Sequence, residues 1–114
     1  MNKKCFFALV SVLMVMCVAG VAFGNSLSTI DKVRKAGKII IGTGPGYYPF
    51  EMMDTEGNFI GYDMDLGRAI GKSLGVKVEF RHFEFYSMIP ALQTGEIDMI
   101  ISGMTIRGDR ALGA

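Results

Sequence analysis

The first 24 residues follow a pattern of charge and hydrophobicity that is typical of an export signal. Lys3 and Lys4 give the start of the chain a positive charge, and residues 5–23 then carry no charge and one hydroxyl, that of Ser11. Small residues at Ala22 and Gly24 occupy the two positions that a signal peptidase reads, which predicts cleavage after Gly24. An uncleaved membrane anchor is the alternative, because about twenty apolar residues can span a bilayer.

The next part of the chain alternates between helical and strand-like spacing. Apolar residues at helical spacing predict a short helix that begins after Ser26 or Ser28 and ends at Gly37. Residues 38–43 are a β-branched apolar run of strand length. Two apolar runs around a Gly-Asn turn predict a small hairpin over residues 50–61.

Two further helix–strand units follow the hairpin. Asp63 is predicted to be the N-cap of a helix that stops at Gly75, and a strand over residues 76–81 comes next. A second helix is predicted over residues 87–94 and a last strand over residues 97–101. The apolar stripe of the first of these helices is predicted to consist of Leu66, Ala69, Ile70 and Leu74.

This order of elements predicts an α/β fold in which right-handed crossovers build a mainly parallel sheet flanked by helices. In such sheets, ligands bind in the crevice beyond the carboxyl ends of the strands. The loops after Thr43, Arg81 and Ile101 are therefore the predicted positions of functional residues.

Composition narrows the chemistry of the exported part. Both cysteines, Cys5 and Cys17, lie inside the apolar run, so residues 25–114 have neither a disulfide nor a cysteine–metal site. Removing the two N-terminal lysines leaves 10 basic and 11 acidic residues, a net charge of −1. This balance gives no support for nucleic acid or an anionic membrane surface as a partner.

The three loops carry groups that suit a small zwitterion. Tyr47 and Tyr48 follow the first strand, Phe85 follows the next, and residues 102–110 combine carbonyls, a hydroxyl and arginines. Aromatic rings can wall a ligand, and an arginine pairs bidentately with a carboxylate. Taken alone, the same residues also fit packed aromatics and a solvated surface arginine, so spacing leaves both interpretations open.

Several spaced motifs in order share one likeness. They are Tyr48-Pro49-Phe50-Glu51 and the runs at residues 57–66, 89–98 and 101–106, with Arg110 four residues further on. Together they resemble the extracellular (periplasmic) solute-binding proteins of amino-acid ABC importers, family 3 type, over about residues 29–112. The resemblance implies a periplasmic-binding-protein-like (type II) lobe, an amino acid as ligand and a membrane permease as partner. It further implies a monomer with neither a cofactor nor a metal.

The resemblance also implies a role for each matched residue. The implied ligand-binding positions are Tyr47, Phe85, Ser102, Gly103, Thr105 and Arg110. The two aromatics match rings on opposite sides of the bound amino acid. Ser102 and Gly103 match positions whose carbonyls receive the ligand ammonium, and Thr105 matches a residue whose hydroxyl and N–H hold the ligand. Arg110 matches the arginine that clamps the α-carboxylate.

Two positions depart from the family pattern. Gly44 stands where several relatives carry an acidic residue near the ligand side chain, which leans against a basic amino acid as ligand. Arg107 stands where threonine is common; it either favours an acidic ligand or faces solvent, and solvent is the preferred interpretation.

The length of the match is the larger departure. Family members close two lobes on the ligand, whereas residues 25–114 match only part of the N-terminal lobe. We therefore expect weak binding of a small polar amino acid, because closure and desolvation of the charges would be lost. Alternatives are an exported enzyme on the same fold (cyclohexadienyl-dehydratase-like), a sensor input domain that keeps its membrane segment, and a truncated chain that does not fold stably.

Overall fold

The computed structural model describes residues 27–113, so the predicted signal and its cleavage site lie outside the described residues. Helix α1 (Thr29–Ala36) begins after Ser28, whose hydroxyl accepts a hydrogen bond from the backbone N–H of Asp31 at 3.2 Å. It ends at Gly37, whose left-handed φ of 68° suits a residue without a Cβ. The predicted helix is confirmed, with the later of the two candidate serines as its cap.

The predicted first strand and hairpin are also confirmed. Strand β1 (Lys38–Thr43) follows α1, and strands β2 (Met52–Met53) and β3 (Phe59–Ile60) pair antiparallel. In the turn between them, the carboxylate of Asp54 accepts two backbone N–H groups, at 2.9 and 2.8 Å. The acidic residue therefore closes the turn from within, as asparagine and aspartate commonly do.

Helix α2 (Tyr62–Leu74) begins differently from the prediction. Its N-cap is Gly61, with φ of 121°, and Asp63 lies inside the first turn, where it is buried. The first two N–H groups of the helix donate to the carbonyls of Pro49 at 3.2 Å and Phe50 at 2.9 Å. The prediction of Asp63 as N-cap was wrong, because loop carbonyls satisfy the donors that a capping side chain would otherwise serve.

The buried face of α2 is displaced from the predicted stripe. Leu66 is 41% exposed and Ala69 is exposed as well, so these two assignments were wrong. A Cβ at Gly67 would lie 2.8 Å from the ring of Phe80, so the glycines allow the helix to approach the sheet closely. The residues of α2 that face the sheet are Met64, Gly67 and Gly71, which are buried, and Ile70 and Leu74, which are half-buried.

The remaining elements complete one parallel layer. Strand β4 (Lys77–His82) follows α2, and a 3-10 turn (Phe85–Ser87) leads into helix α3 (Met88–Thr94). Strand β5 (Met99–Ile100) and a short helix α4 (Gly108–Ala111) end the described chain. The predicted second helix is confirmed to within one residue, whereas α4 was not predicted.

Strand β5 is shorter than the predicted strand over residues 97–101. The backbone N–H of Ile97 donates to the carbonyl of Ala91 at 3.4 Å, so this residue is still held by the end of α3. The side chain of Ile97 is buried, which explains why its apolar character resembled that of a strand. The apolar run is therefore a helix exit followed by a two-residue strand.

The three-stranded sheet has the order β4-β1-β5, and both pairings are parallel. Lys38 lies opposite Lys77 and Thr43 opposite His82, while Ile41 lies opposite Met99. The predicted α/β fold with a mainly parallel sheet flanked by helices is confirmed. The core cluster lies between the helices and the sheet and is formed by Val33, Ile39 and Ile41, with half-buried Ile70, Leu74, Val76, Val78, Phe80, Met99 and Ile101 around it.

Within residues 27–113, no helix combines the length and the apolar character that a membrane crossing needs. The same part of the chain holds no group of three histidine, cysteine, aspartate or glutamate side chains arranged for a metal ion. The alternative of an uncleaved membrane anchor concerns the apolar run at residues 5–23, which lies outside this range.

Candidate functional site

The buried polar residues of the described chain gather at the carboxyl ends of the strands. They are Thr43, Glu51, Asp63 and Ser102, each at most 7% exposed. Thr43 ends β1, and Ser102 follows shortly after β5. Carboxyl ends of parallel strands meet at one edge of a sheet, which is where α/β folds place their ligand sites.

Glu51 is the centre of this polar cluster. Its carboxylate accepts the hydroxyl of Thr43 at 2.7 Å and the hydroxyl of Ser102 at 3.0 Å. It also accepts the backbone N–H of Gly44 at 3.3 Å. The carboxylate thereby joins the loop after β1 to the loop after β5.

Glu51 belongs to the motif Tyr48-Pro49-Phe50-Glu51 but was not among the predicted functional residues. The available signal was its position as the single charged residue between apolar Phe50 and Met52. A carboxylate flanked by apolar neighbours in a strand-like run is a candidate for burial, and buried polar groups are hydrogen-bonded. The partners themselves lie 8 and 51 residues away along the chain, so no local pattern identifies them.

Asp63 supplies a second buried carboxylate to the same cluster. Its Oδ2 accepts the backbone N–H of Gly103 at 3.3 Å. Burial raises the pKa of the Asp63 carboxyl and the negative charge of Glu51 adds to this rise, while the Gly103 hydrogen bond opposes it. Because the folded-state pKa exceeds the unfolded one, ionised Asp63 costs folding free energy above the raised pKa; this cost shrinks as the pH falls below that value and is gone below the ordinary pKa of an aspartate.

Tyr47 lies over the segment that these carboxylates hold. A Cβ at Gly103 would be 2.9 Å from Cδ1 of Tyr47, and the φ of 50° at Gly103 is left-handed. The Tyr47 ring is 56% exposed and lies 5.3 Å, centroid to centroid, from the ring of Phe50. The aromatic ring therefore stands beside Ser102 and Gly103 with much of its surface open to a ligand.

Arg110 and Phe85 form a second contact set. The Arg110 guanidinium carbon lies 5.0 Å from the centroid of the Phe85 ring, a cation–π distance. Its Nη1 donates to the carbonyl of Thr105 at 3.1 Å, which leaves the other guanidinium nitrogens for a carboxylate. Helix α4 carries Arg110, so an element that the sequence did not predict positions the residue of greatest predicted importance.

The six predicted ligand-binding residues therefore form two contact sets: four lie on loops, Phe85 lies in the 3-10 turn and Arg110 lies on α4. Tyr47 adjoins Ser102 and Gly103, and Phe85 adjoins Arg110, which in turn contacts Thr105. Their roles toward a ligand stay predictions.

The two departures from the family pattern have structural explanations. A Cβ at Gly44 would lie 2.9 Å from Cε of Met88 and 3.1 Å from the carbonyl oxygen of Phe83, so no side chain fits there without a shift. Arg107 is paired with Asp109 through two hydrogen bonds, at 3.0 and 3.1 Å, and its side chain is 58% exposed. The interpretation that Arg107 faces solvent is confirmed.

A groove of about 420 Å³ lies beside β5. It includes Thr105 and Arg110 but not the other four predicted residues, and its walls are mainly apolar. A zwitterion needs polar partners, so the polar cluster and its rim suit such a ligand better than this groove does. The residues lining the groove are Ile89, Leu92, Asp98, Met99, Ile100, Met104, Thr105, Ile106, Arg107, Arg110 and Ala111.

A family model for bacterial extracellular solute-binding proteins, family 3, matches residues 39–112. The chain belongs to this family. The matched range contains the polar cluster, all six predicted ligand positions and all of the parallel sheet except Lys38.

Known binding proteins resemble the chain over most of its length. It is 34% identical over 109 residues to the "Probable ABC transporter arginine-binding protein ArtJ" of Chlamydia trachomatis, which covers 96% of this chain and 40% of ArtJ. The "Ancestral Cationic Amino Acid Solute Binding Protein (AncCDT-1)" shares 46% identity at a TM-score of 0.72, covering 75% of this chain and 37% of that one.

Two further solved structures bear on the function. The arginine-bound form of domain 1 from TmArgBP has a TM-score of 0.69 and 39% identity, covering 72% of this chain and 65% of that one. An ancestral cyclohexadienyl dehydratase, AncCDT-3(P188L), has a TM-score of 0.72 and 32% identity, covering 76% of this chain and 36% of that one. The chain thus spans well under half of the ArtJ protein and about two thirds of the solved domain 1.

Proposed function

We propose that this chain is part of the N-terminal lobe of an exported binding protein that holds a cationic L-amino acid for an ABC importer. The observation that carries the proposal is the gathering of hydroxyl, carbonyl, carboxylate and guanidinium groups at the carboxyl edge of the sheet, in a family 3 chain. No single group in this set defines a ligand, whereas the set as a whole matches both charges of an amino acid.

Each group has a role in the proposal. Arg110 pairs with the α-carboxylate, because its guanidinium is fixed by Phe85 and by the Thr105 carbonyl. The hydroxyl and N–H of Thr105 assist it. The carbonyls of Ser102 and Gly103 accept the α-ammonium, and the exposed face of Tyr47 covers the ligand.

Two observations favour a ligand with a cationic side chain. The similar proteins named above include one named for arginine and one named for cationic amino acids. Two buried carboxylates, Glu51 and Asp63, lie beneath the site, and their negative charge attracts a cation through a region of low dielectric. Gly44 therefore argues less strongly against a basic amino acid than the sequence alone indicated, since Glu51 and Asp63 supply negative charge near the site.

Binding by this chain alone is proposed to be weak. The family closes two lobes around the ligand, and one lobe leaves half of the ligand in water. The arginine-bound structure of domain 1 from TmArgBP supports measurable binding, because one domain of that protein holds arginine. Affinity weaker than micromolar, yet measurable, is the expected result.

Export and delivery complete the proposal. Residues 1–24 act as a signal peptide cleaved after Gly24, and residues 25–114 form the partial N-terminal lobe. The mature chain works in the periplasm as a monomer that presents its ligand to a membrane permease. The periplasmic and extracellular binding proteins among its relatives support this location.

The similarity to an ancestral cyclohexadienyl dehydratase makes an enzyme the second candidate. An enzyme needs an acid or base placed beside the substrate, yet His82 and Glu84 are both exposed near the end of β4. The two carboxylates at the site itself are engaged by hydrogen bonds. Binding without chemistry is therefore proposed, and turnover of a cyclohexadienyl acid, followed by ultraviolet absorbance, would favour the enzyme instead.

Titration of the exported, 15N-labelled chain with L-arginine, followed by NMR, tests the proposal. We expect saturable shifts of the Ser102 and Gly103 amides, little response to L-glutamate, and loss of binding in Arg110→Ala. Arg107→Ala is the matched control, since Arg107 pairs with Asp109 at the surface. An absent response to arginine, or an equal response to glutamate, would contradict the proposed ligand class.

A further inference from the structure

Two consecutive residues of the proposed site are held by different carboxylates. The Ser102 hydroxyl donates to Oε1 of Glu51 at 3.0 Å and accepts the N–H of Gly44 at 3.2 Å. The next N–H, that of Gly103, donates to Oδ2 of Asp63 at 3.3 Å. One carboxylate comes from the start of the hairpin and the other from the first turn of α2, so two separate elements fix one short stretch of backbone.

Both carboxylates are held firmly themselves. Glu51 is 3% exposed and receives the Thr43 hydroxyl at 2.7 Å, and its own N–H donates to the Tyr47 carbonyl at 3.0 Å. Asp63 is 7% exposed and is anchored in the first turn of α2. A polar group that is fixed on both sides can set the orientation of its partner, as supporting residues around metal and catalytic sites do.

Stability alone does not explain why Glu51 and Asp63 are buried next to each other. None of the ion pairs found among residues 27–113 involves Glu51 or Asp63, so two neighbouring carboxyl groups are buried there without a cationic partner. Burying carboxylates in this way is unfavourable, and the raised pKa of Asp63 reports part of that cost. Groups that are retained at a cost to stability are commonly found at functional sites.

The carbonyl oxygens of Ser102 and Gly103 are available as hydrogen-bond acceptors. Within the described range, neither the Ser102 carbonyl nor the Gly103 carbonyl accepts a hydrogen bond from the protein. The Ser102 hydroxyl and the Gly103 N–H are fixed by the two carboxylates, and the two carbonyl oxygens remain available for another donor. A ligand ammonium is such a donor.

We propose that Glu51 and Asp63 are positioning residues, which orient the Ser102–Gly103 backbone so that its carbonyl oxygens receive the α-ammonium of the ligand. This inference rests on the proposed function of the site. Neither carboxylate touches the ligand; Glu51 acts through the Ser102 hydroxyl and Asp63 through the Gly103 N–H.

The experiment compares two probes that differ only in the ammonium. L-arginine carries it, and 5-guanidinopentanoate lacks it while keeping the guanidinium and the carboxylate. The full 114-residue chain is expressed with its own leader, and the exported product is titrated with each probe by NMR. If the two carboxylates position the ammonium acceptors, their loss must weaken arginine binding more than analogue binding.

Asp63→Ala is the primary variant. We expect its arginine affinity to fall about tenfold more than its analogue affinity, the equivalent of one lost hydrogen bond to a charged group, since both probes keep the guanidinium and lose the attraction of the Asp63 charge equally. Asp63→Asn retains an oxygen that can accept the Gly103 N–H and is expected to restore most of the preference for arginine over the analogue. A role in stability alone would lower both affinities together, so this difference separates the two interpretations.

Two further variants keep the test decisive. Ser102→Ala removes the hydroxyl that donates to Glu51 and accepts the Gly44 N–H. It is a small enough change to fold if Asp63→Ala does not, and it is expected to show the same selective loss. Asp98→Ala is the matched control, because the Asp98 carboxylate also accepts a backbone N–H, that of Ile40 at 2.9 Å, but lies outside the polar cluster. It should affect the two probes equally.

The outcomes separate this inference from the proposed function. Equal losses for both probes in Asp63→Ala and Ser102→Ala would overturn the positioning role while leaving arginine binding intact. An unsubstituted chain that shows no saturable response to arginine would overturn the proposed function, and the positioning role with it.

Discussion

The two ends of the parallel sheet are built from different kinds of residue. At the amino end, Ile39 and Val33 are buried in an apolar cluster, and Glu79 is held at the surface between Lys38 at 2.9 Å and Arg81. At the carboxyl end, the buried residues are polar, and two of them are carboxylates without a cation among the described residues. The amino end is therefore arranged for stability, and the carboxyl end is arranged to present polar groups at some expense of stability.

The strongest test of this comparison is Ile39→Ala at the amino end. Ile39 is 3% exposed in the apolar cluster, and its truncation should lower the free energy of unfolding by about 2–5 kcal/mol. Urea denaturation of the exported chain would measure the change. Ile106→Ala is the matched control, because Ile106 is 97% exposed and its truncation should have little effect. Equal effects of the two substitutions would disprove the assigned core.

A smaller loss of stability is expected from Glu51→Gln at the carboxyl end. The single side-chain oxygen of glutamine cannot replace both carboxylate oxygens, which accept Thr43 on one side and Ser102 on the other. The variant should lose about 1–3 kcal/mol of unfolding free energy. It should also lower the pKa of Asp63, because the charge of Glu51 contributes to the rise of that pKa.

Denaturation and an NMR titration of the Asp63 carboxyl carbon would measure the two effects of Glu51→Gln. An unchanged Asp63 pKa would show that the two carboxylates do not interact. A gain in stability would mean that the buried charge of Glu51 outweighs its hydrogen bonds, which would sharpen the contrast between the two ends of the sheet.

The smallest effect is expected from Glu79→Gln. Hydrogen bonds from Lys38 and Arg81 hold the pKa of the Glu79 carboxyl below its usual value. Its stabilisation is therefore present above the usual pKa of a glutamate and is lost as the pH falls through the lowered pKa. Thermal unfolding from pH 7 to pH 3 should show a slight loss at neutral pH and a weaker response to acid in the variant, and added salt should reduce the difference. A loss as large as that of Glu51→Gln would contradict the comparison.

The elements that the sequence predicted well are those with local signals at both ends. Helix α1 has a serine cap and a left-handed glycine, and β1 is a continuous apolar run. The mistakes concern positions where a distant segment replaced the local signal. Loop carbonyls took over the capping role assigned to Asp63, and close contact with Phe80 favoured Gly67 over Leu66 on the buried face of α2.

The candidate site divides in the same way. Its six predicted residues came from a resemblance to the family and lie in the segments that follow the three strands of the parallel sheet, four of them on loops. Glu51 was missed as a functional residue, because its importance rests on Ser102, which lies 51 positions away. The pairing of Arg110 with Phe85 was missed as well, since it depends on the fold of the segment that contains α4.

The sequence by itself determined the order of helices and strands, the parallel α/β class and the family, because periodicity, caps and spaced motifs are properties of neighbouring residues. The tertiary structure alone decided which polar groups are buried and what holds them. Glu51 and Asp63 became neighbours, and the pKa of Asp63 rose, only when the hairpin, α2 and the loop after β5 came together. Burial and charge coupling arise from contacts between segments that are distant in sequence, so no local pattern specifies them.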